Sequence, residues 1–171
     1  MLRIFLAASF FTVVFGACDW PNGTDTALHW WQDPSQFCTV YAAHAEDLNG
    51  NFEYPINLTR PVVAVLNVTN GGPAANKVQL DISIMEYGGF TGCQWNNVPT
   101  FGLLSGLNGC EYAACPIPPG NQIIKLKIDF SQFQNIINLL NDHTPYQLDI
   151  KLTNKDTNVE VTAHVQAKVI T

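Results

Sequence analysis

Apolar and polar residues alternate with a period of two along much of the chain. Val78, Leu80, Ile82 and Ile84 are separated by Gln79, Asp81 and Ser83. Ile124, Leu126, Ile128 and Phe130 are separated by Lys125, Lys127 and Asp129. Leu148, Ile150 and Leu152 alternate with Asp149 and Lys151. Val159, Val161, Ala163, Val165, Ala167 and Val169 alternate with Glu160, Thr162, His164, Gln166 and Lys168. Successive strand side chains point to opposite faces, so each run offers one face to a core and one to water. Half-buried strands of this kind suit antiparallel sheets rather than a parallel α/β core. Residues 62–70 form a further strand, with 56–59 leading into it and Pro61 at its edge. Residues 38–45 show a fainter alternation.

Turn signals separate these runs: Asn49-Gly50, Asn70-Gly71-Gly72-Pro73, Gly88-Gly89, Pro118-Pro119-Gly120 and Asn154-Lys155-Asp156. One segment breaks the pattern. Over residues 131–141, Phe133, Ile136, Ile137 and Leu140 recur at helical spacing and Ser131 can cap the start. The expectation is an all-β domain of about seven strands in two antiparallel sheets, an immunoglobulin-like β-sandwich with one short helix. No repeat or linker divides the chain, so residues 18–171 read as one domain.

The first 17 residues stand apart. One cation at Arg3, a short apolar run and the small residues Gly16 and Ala17 read as a secretory signal peptide. The run is short of the ~20 residues of a spanning helix. Cleavage after Gly16 or after Ala17 removes Arg3 and takes the formal net charge from −6 to −7. An acidic chain with no basic stripe argues against nucleic acid as a partner.

Export fits two further patterns. Asn22, Asn57 and Asn67 each open an Asn-x-Thr triplet for N-glycosylation. Asn67 pointing outward sends Leu66 and Val68 inward. Five cysteines stand at 18, 38, 93, 110 and 115, an odd number in an oxidising compartment. Cys110 and Cys115 are close enough to close a small loop. Spacing does not assign the other three; the working expectation is Cys18 with Cys38, leaving Cys93 as a buried thiol. The destination is extracellular or the endo-lysosomal lumen.

Catalytic patterns are missing. Gly102-Leu103-Leu104-Ser105-Gly106 lacks the spacing of a nucleophile elbow. The four histidines, at 29, 44, 143 and 164, show no metal-ligand spacing. His44 precedes Glu46 and Asp47, as a solvated strand end does. The reading is no enzyme, no metal and no cofactor. What stands out is a segment rich in apolar residues yet also in Gly, Pro and Asn. Residues 92–107 carry Trp95, Val98, Phe101, Leu103, Leu104 and Leu107. Loops are normally polar, so these side chains cover a core, line a ligand cavity or meet a membrane or protein. The Trp30-Trp31 pair poses the same question.

Cys110-x4-Cys115-Pro116-Ile117-x2-Gly120 resembles the cysteine signature of the ML lipid-recognition family, which includes the Niemann–Pick type C sterol carrier and, more distantly, the ganglioside activators. Glu53-Tyr54-Pro55-Ile56, opening a long strand, and the Val98-to-Leu104 stretch look like an invertebrate branch, and the resemblance covers roughly residues 35–171. Many members tie a last-strand cysteine to the N-terminus, and residues 159–170 contain none. The resemblance implies two splayed sheets with a lipid between them. The inward residues would then line an internal apolar cavity: Leu66, Val68, Leu80, Ile82, Ile84, Ile124, Leu126, Ile128 and Phe130, with Leu148, Ile150, Val161, Ala163, Val165 and Ala167 opposite. Trp95, Phe101, Leu103, Leu104, Leu107 and Ile117 would form its mouth. The ligand would be a sterol, an acyl chain or a phospholipid or glycolipid, held by a monomer that touches a membrane, receptor or hydrolase transiently. The competing reading is a filled sandwich whose apolar loop binds another protein.

Overall fold

The computed structural model describes residues 18–89 and 92–171; the expected leader lies outside the described residues. It is a β-sandwich. Ten strands run in chain order as β1 (His29–Gln32), β2 (Cys38–Glu46), β3 (Ile56–Asn57), β4 (Val62–Asn70), β5 (Val78–Tyr87), β6 (Trp95–Asn97), β7 (Leu107–Asn108), β8 (Gly120–Ile128), β9 (Thr144–Asn154) and β10 (Val159–Ile170). The larger sheet has the order β1-β10-β9-β5-β6, with β3 beside β10 and β7 beside β5. The smaller has the order β2-β4-β8. All pairings are antiparallel except β3 with β10.

The period-two alternation sets the register. In the larger sheet Ile82 pairs with Ile150 and Ile150 with Ala163. Leu80, Leu152 and Val161 form the next row inward-facing, and Ile84, Leu148 and Val165 the one beyond. In the smaller sheet Leu66 pairs with Ile124 and Ala64 with Leu126. A one-residue slip in any pairing would turn these rows to water.

The faint alternation of β2 has a structural cause. A bulge between Val40 and Ala42 shifts the parity, so Cys38 and Val40 are followed on the inner side by Ala43 and Ala45. Three short strands, β1, β6 and β7, carry no alternation in the sequence, being two to four residues long. Residues 56–59 do not lead into β4. Ile56 and Asn57 pair with Val169 and Ile170 in the larger sheet, and the chain crosses at Pro61 into the smaller one.

The helix lies where its spacing puts it but is shorter and capped differently. A 3-10 turn, Phe130–Phe133, leads into α1 (Gln134–Ile137). The cap is Asp129, whose Oδ1 accepts from Ser131 N at 3.0 Å, so Ser131 is the capped residue rather than the cap. Ile136, 1% exposed, packs with Ile137, Leu58, Ile84, Leu104, Tyr146 and Val169 and seals one end of the sandwich.

The two long sides are closed differently. On one, the Gln32 amide of β1 donates to Cys38 O at 3.0 Å and accepts from Val40 N of β2. On the other, residues 98–117 span from β5 to β8. Val98 N donates to Ile84 O, Ile82 N to Leu104 O and Lys127 N to Tyr112 O, at 2.8–3.0 Å.

Cys110 and Cys115 are bridged, with Cα atoms 5.4 Å apart. The expected Cys18–Cys38 bridge is corrected: Cys18 pairs with Cys93, and Cys38 is the free thiol. Cys38 opens β2 in the smaller sheet. Cys18 lies beside the β5–β6 turn of the larger sheet, where a Cβ on Gly88 would stand 3.9 Å from its sulfur. Cys93 is carried by that turn.

Candidate functional site: an apolar space between the sheets

The inner faces of the two sheets do not fill the space between them. A cavity of about 210 Å³ remains. All fifteen residues expected on inward faces border it, from Leu66 and Val68 in β4 to Val165 and Ala167 in β10. Among the expected mouth residues, Leu104, Leu107 and Ile117 also border it. Trp95, Phe101 and Leu103 do not. Trp95 packs against Tyr87, ring centroids 5.0 Å apart, on the β5–β6 hairpin. Phe101 and Leu103 project from a turn closed by Leu103 N donating to Thr100 O, and Phe101 is 76% exposed. The segment from 98 to 117 is therefore a side wall of the cavity, with its turn directed away from it.

Burial in the larger sheet is uneven, with Leu80, Ile84, Ala167 and Val169 of the inner face buried. On the inner face, Ile82, Leu148, Ile150, Val161, Ala163 and Val165 are only half-buried. On the outer face, the polar Gln147, Thr153 and Gln166 are buried. Around Gln166 and His164 the outer face is covered by Asn22, Trp31 and Asp33. Asn22 Nδ2 donates to Gln166 Oε1 at 2.7 Å, Gln166 Nε2 to Gln147 Oε1 at 2.7 Å, and Gln147 Nε2 to Asp149 Oδ1 at 2.8 Å. Asp149 bonds His164 Nδ1 at 2.6 Å, and His164 Nε2 reaches Asp33 at 3.3 Å. A satisfied amide chain of this kind is stable when buried. The unfilled inner face is the unusual half, because interiors normally pack to crystal density.

The cavity wall is chemically plain. None of the described residues lining it is a lysine, arginine, aspartate or glutamate. Tyr146 lines it, but its hydroxyl accepts from Asn141 N at 2.6 Å. Burial raises the Tyr146 and Tyr112 phenols above their ordinary range. The two histidines at the wall turn their nitrogens away: His44 Nε2 to Glu46 at 3.0 Å, His164 to Asp149 and Asp33. Burial raises the Cys38 thiol, which keeps it protonated and weakly nucleophilic. Such a space holds no water network, since water needs two to four polar partners.

The other candidates fall on surfaces. His44 and Lys125 both contact Glu46, and these hydrogen bonds lower its carboxyl below the ordinary range, His44 contributing most. The group is a solvated strand-end cluster whose His44 also borders the cavity. Among the described residues no group of three or more His, Cys, Asp or Glu side chains is placed to hold a metal ion. Asn67 is exposed on the outer face of the smaller sheet. Asn57 is half-buried, and its Oδ1 accepts from the backbone and hydroxyl of Thr59. Asn22 is exposed, although its amide is committed to Gln166.

The bulged inner face of β2 was missed by sequence reasoning. Val40, Ala43 and Ala45 line the cavity, and the bulge removed the period that would have shown them. Leu28 and Trp30 at the β1 edge, and Tyr112 and Ala113 in the side wall, carried no periodic signal either.

No family model matches the chain, and no curated protein matches it. Among solved structures the chain is similar to the crystal structure of the C-terminal domain of wzt, at 10% identity and a TM-score of 0.42, over 84% of this chain and 78% of that one.

Proposed function

We propose that the chain is a non-enzymatic lipid carrier of the ML type, secreted or lumenal, which shields an apolar tail between its two sheets. The observation that carries the reading is the half-buried inner face around a cavity of about 210 Å³ with no lysine, arginine, aspartate or glutamate among the described residues of its wall. Removing a methylene from water contributes ~0.8 kcal/mol, so a chain of ten contributes ~8 kcal/mol before ordering costs. Affinity of that size needs no catalytic or charged group. Two disulfides are compatible with a secreted or lumenal chain, and no described helix is long and apolar enough to cross a membrane. The proposed leader and N-glycan acceptors at Asn67, Asn57 and Asn22 belong to the same route.

The test is native mass spectrometry of the chain from a eukaryotic secretion host, before and after organic extraction. A mass increment that leaves on extraction and returns with added lipid is expected. A clean mass with no uptake from sterols, fatty alcohols, fatty acids or phospholipids would overturn the reading.

A second reading has its own observation. Phe101 holds φ +52° while 76% exposed, a conformation rare for an aromatic residue. An aromatic side chain displayed in this way suits a protein or membrane contact. Loss of partner binding in Phe101→Asp with lipid uptake intact would assign that turn to recognition and the cavity to cargo.

A further inference from the structure

The two ends of the cavity differ. One end is sealed by α1 through Ile136, Ile137, Leu58 and Tyr146, so a tail entering there meets only packed apolar atoms. At the other end a second space of about 100 Å³ adjoins the first. The two share Cys38, Val68, Val78, Ile117, Ile124, Leu152 and Val161 as wall. The second space reaches the β9–β10 turn and is lined there by the polar side chains of Asn70, Asn154 and Thr157.

The charge at that end is spoken for. No lysine, arginine, aspartate or glutamate is among the described residues lining the second space. Asp156, in the same turn, is held by the backbone and side chain of Asn76 at 3.0 Å, which lower its carboxyl below the ordinary range. Lys155 Nζ donates to Gln79 Oε1 at 3.1 Å, away from the opening. Asn70 is spent on structure: its Nδ2 donates to the carbonyls of Pro73, Ile117 and Pro118, tying the two loops of the rim together. What the rim offers a headgroup is the Nδ2 of Asn154 and the hydroxyl hydrogen of Thr157, since Asn154 Oδ1 accepts from Asp156 N at 2.9 Å and Thr157 Oγ1 from Val159 N at 3.4 Å.

We infer that the cargo lies with its tail toward α1 and its head at the β9–β10 turn, and that the head is small, uncharged and hydroxyl-bearing. A long-chain alcohol or a monoacylglycerol has this chemistry. A fatty acid of the same tail does not, because no lysine or arginine is among the described residues lining the space its carboxylate would enter, Lys155 is held by Gln79 and the charge of Lys77 acts on Asp156, and a charge taken from water without a partner is penalised. The inference rests on the carrier reading and adds orientation and head class to it.

The experiment titrates the delipidated chain at pH 8 with 1-hexadecanol, monopalmitoylglycerol and palmitate, read by native mass spectrometry. The alcohol and the monoacylglycerol bind about tenfold or more tightly than palmitate. Thr157→Lys, on the exposed turn, exchanges the rim hydroxyl for a cation; the affinity for palmitate relative to the alcohol rises about tenfold. Ser131→Lys, beside α1, changes neither. Equal binding of palmitate and alcohol by the natural chain overturns the head selection. Palmitate binding unmoved by Thr157→Lys, or strengthened by Ser131→Lys instead, overturns the orientation. Binding of none of the three with a sterol or phospholipid still taken up overturns the head class and leaves the carrier reading, whereas uptake of no lipid at all removes the carrier reading itself.

Discussion

Two residues are held by backbone geometry rather than by their side-chain chemistry. Gly109 opens the 3-10 turn after β7, and a Cβ there would stand 2.9 Å from Val78 Cγ1 and 3.1 Å from Val78 O. The neighbour on one side is main chain, so it cannot swing aside. Gly109→Ala is expected to cost ~1–3 kcal/mol, read as a lower urea midpoint with an unchanged slope. Phe101 is the opposite case. At φ +52° next to Gly102 at +76°, it occupies a turn position that suits Asn or Gly. Phe101→Asn is expected to leave stability unchanged or raise it by ~0.5–1 kcal/mol, read from the melting temperature. A fall would mean that the aromatic ring packs on the chain after all. At the same scale Cys38 is the one unpaired thiol among the described cysteines. Denatured, unreduced chain should take up one equivalent of alkylating agent, at Cys38 in the peptide map and not at Cys93.

β1 is a short edge element held by a titratable latch. Trp31 of β1 stacks on His164 of β10, ring centroids 4.7 Å apart, and His164 bridges Asp149 of β9 to Asp33 just beyond β1. Burial works against charge on His164, but the hydrogen bonds from Asp149 and then Asp33 outweigh it and raise its pKa. A raised folded pKa means the folded state holds the proton more tightly than the unfolded one. That stabilisation is complete below the unfolded value near 6.5 and is lost as pH rises through the folded value. The depressed carboxyls of Asp81, Asp129 and Asp156 act in the reverse sense and lose their contribution only as pH falls toward their own low range. Stability should therefore peak between about pH 5 and 6.5 and decline above it. His164→Gln should flatten the decline on the alkaline side and leave the acid limb as it was, in urea midpoints taken from pH 4 to 9.

For the whole molecule the central feature is a sandwich closed along both sides and at the α1 end, yet unfilled in the middle. Small residues contribute to that: Ala163 faces into the space in register with Ile150, and Ala43, Ala45, Ala64 and Ala167 also line it. Ala163→Phe should occupy the space. The expected outcome is loss of lipid uptake with the melting temperature of the empty chain kept or raised. Uptake equal to that of the natural chain would place the ligand elsewhere. A bound tail should raise the melting temperature as its concentration rises, by ordinary linkage to the folded state.

The alternation of Val78–Ile84, Ile124–Phe130, Leu148–Leu152 and Val159–Val169 by itself determined the strands, their inward faces and the sandwich, because side-chain parity along a strand is local geometry. The spacing of Phe133, Ile136, Ile137 and Leu140 likewise located the helix, and five-residue spacing the Cys110–Cys115 bridge. Tertiary structure alone decided the rest. A bulge at Val40/Ala42 reset the parity of β2, and strands as short as β1, β3, β6 and β7 exist only because a longer neighbour supplies their hydrogen bonds. The partner of Cys18 depended on which sheet each cysteine joined, a distance that sequence separation does not encode. Whether the inner faces met or stood apart was also a tertiary matter. An apolar strand face reads the same whether it meets another side chain or an empty space; the sheet separation decides that, and here it is set by the wall of residues 98–117, the Gln32 clasp and the α1 plug.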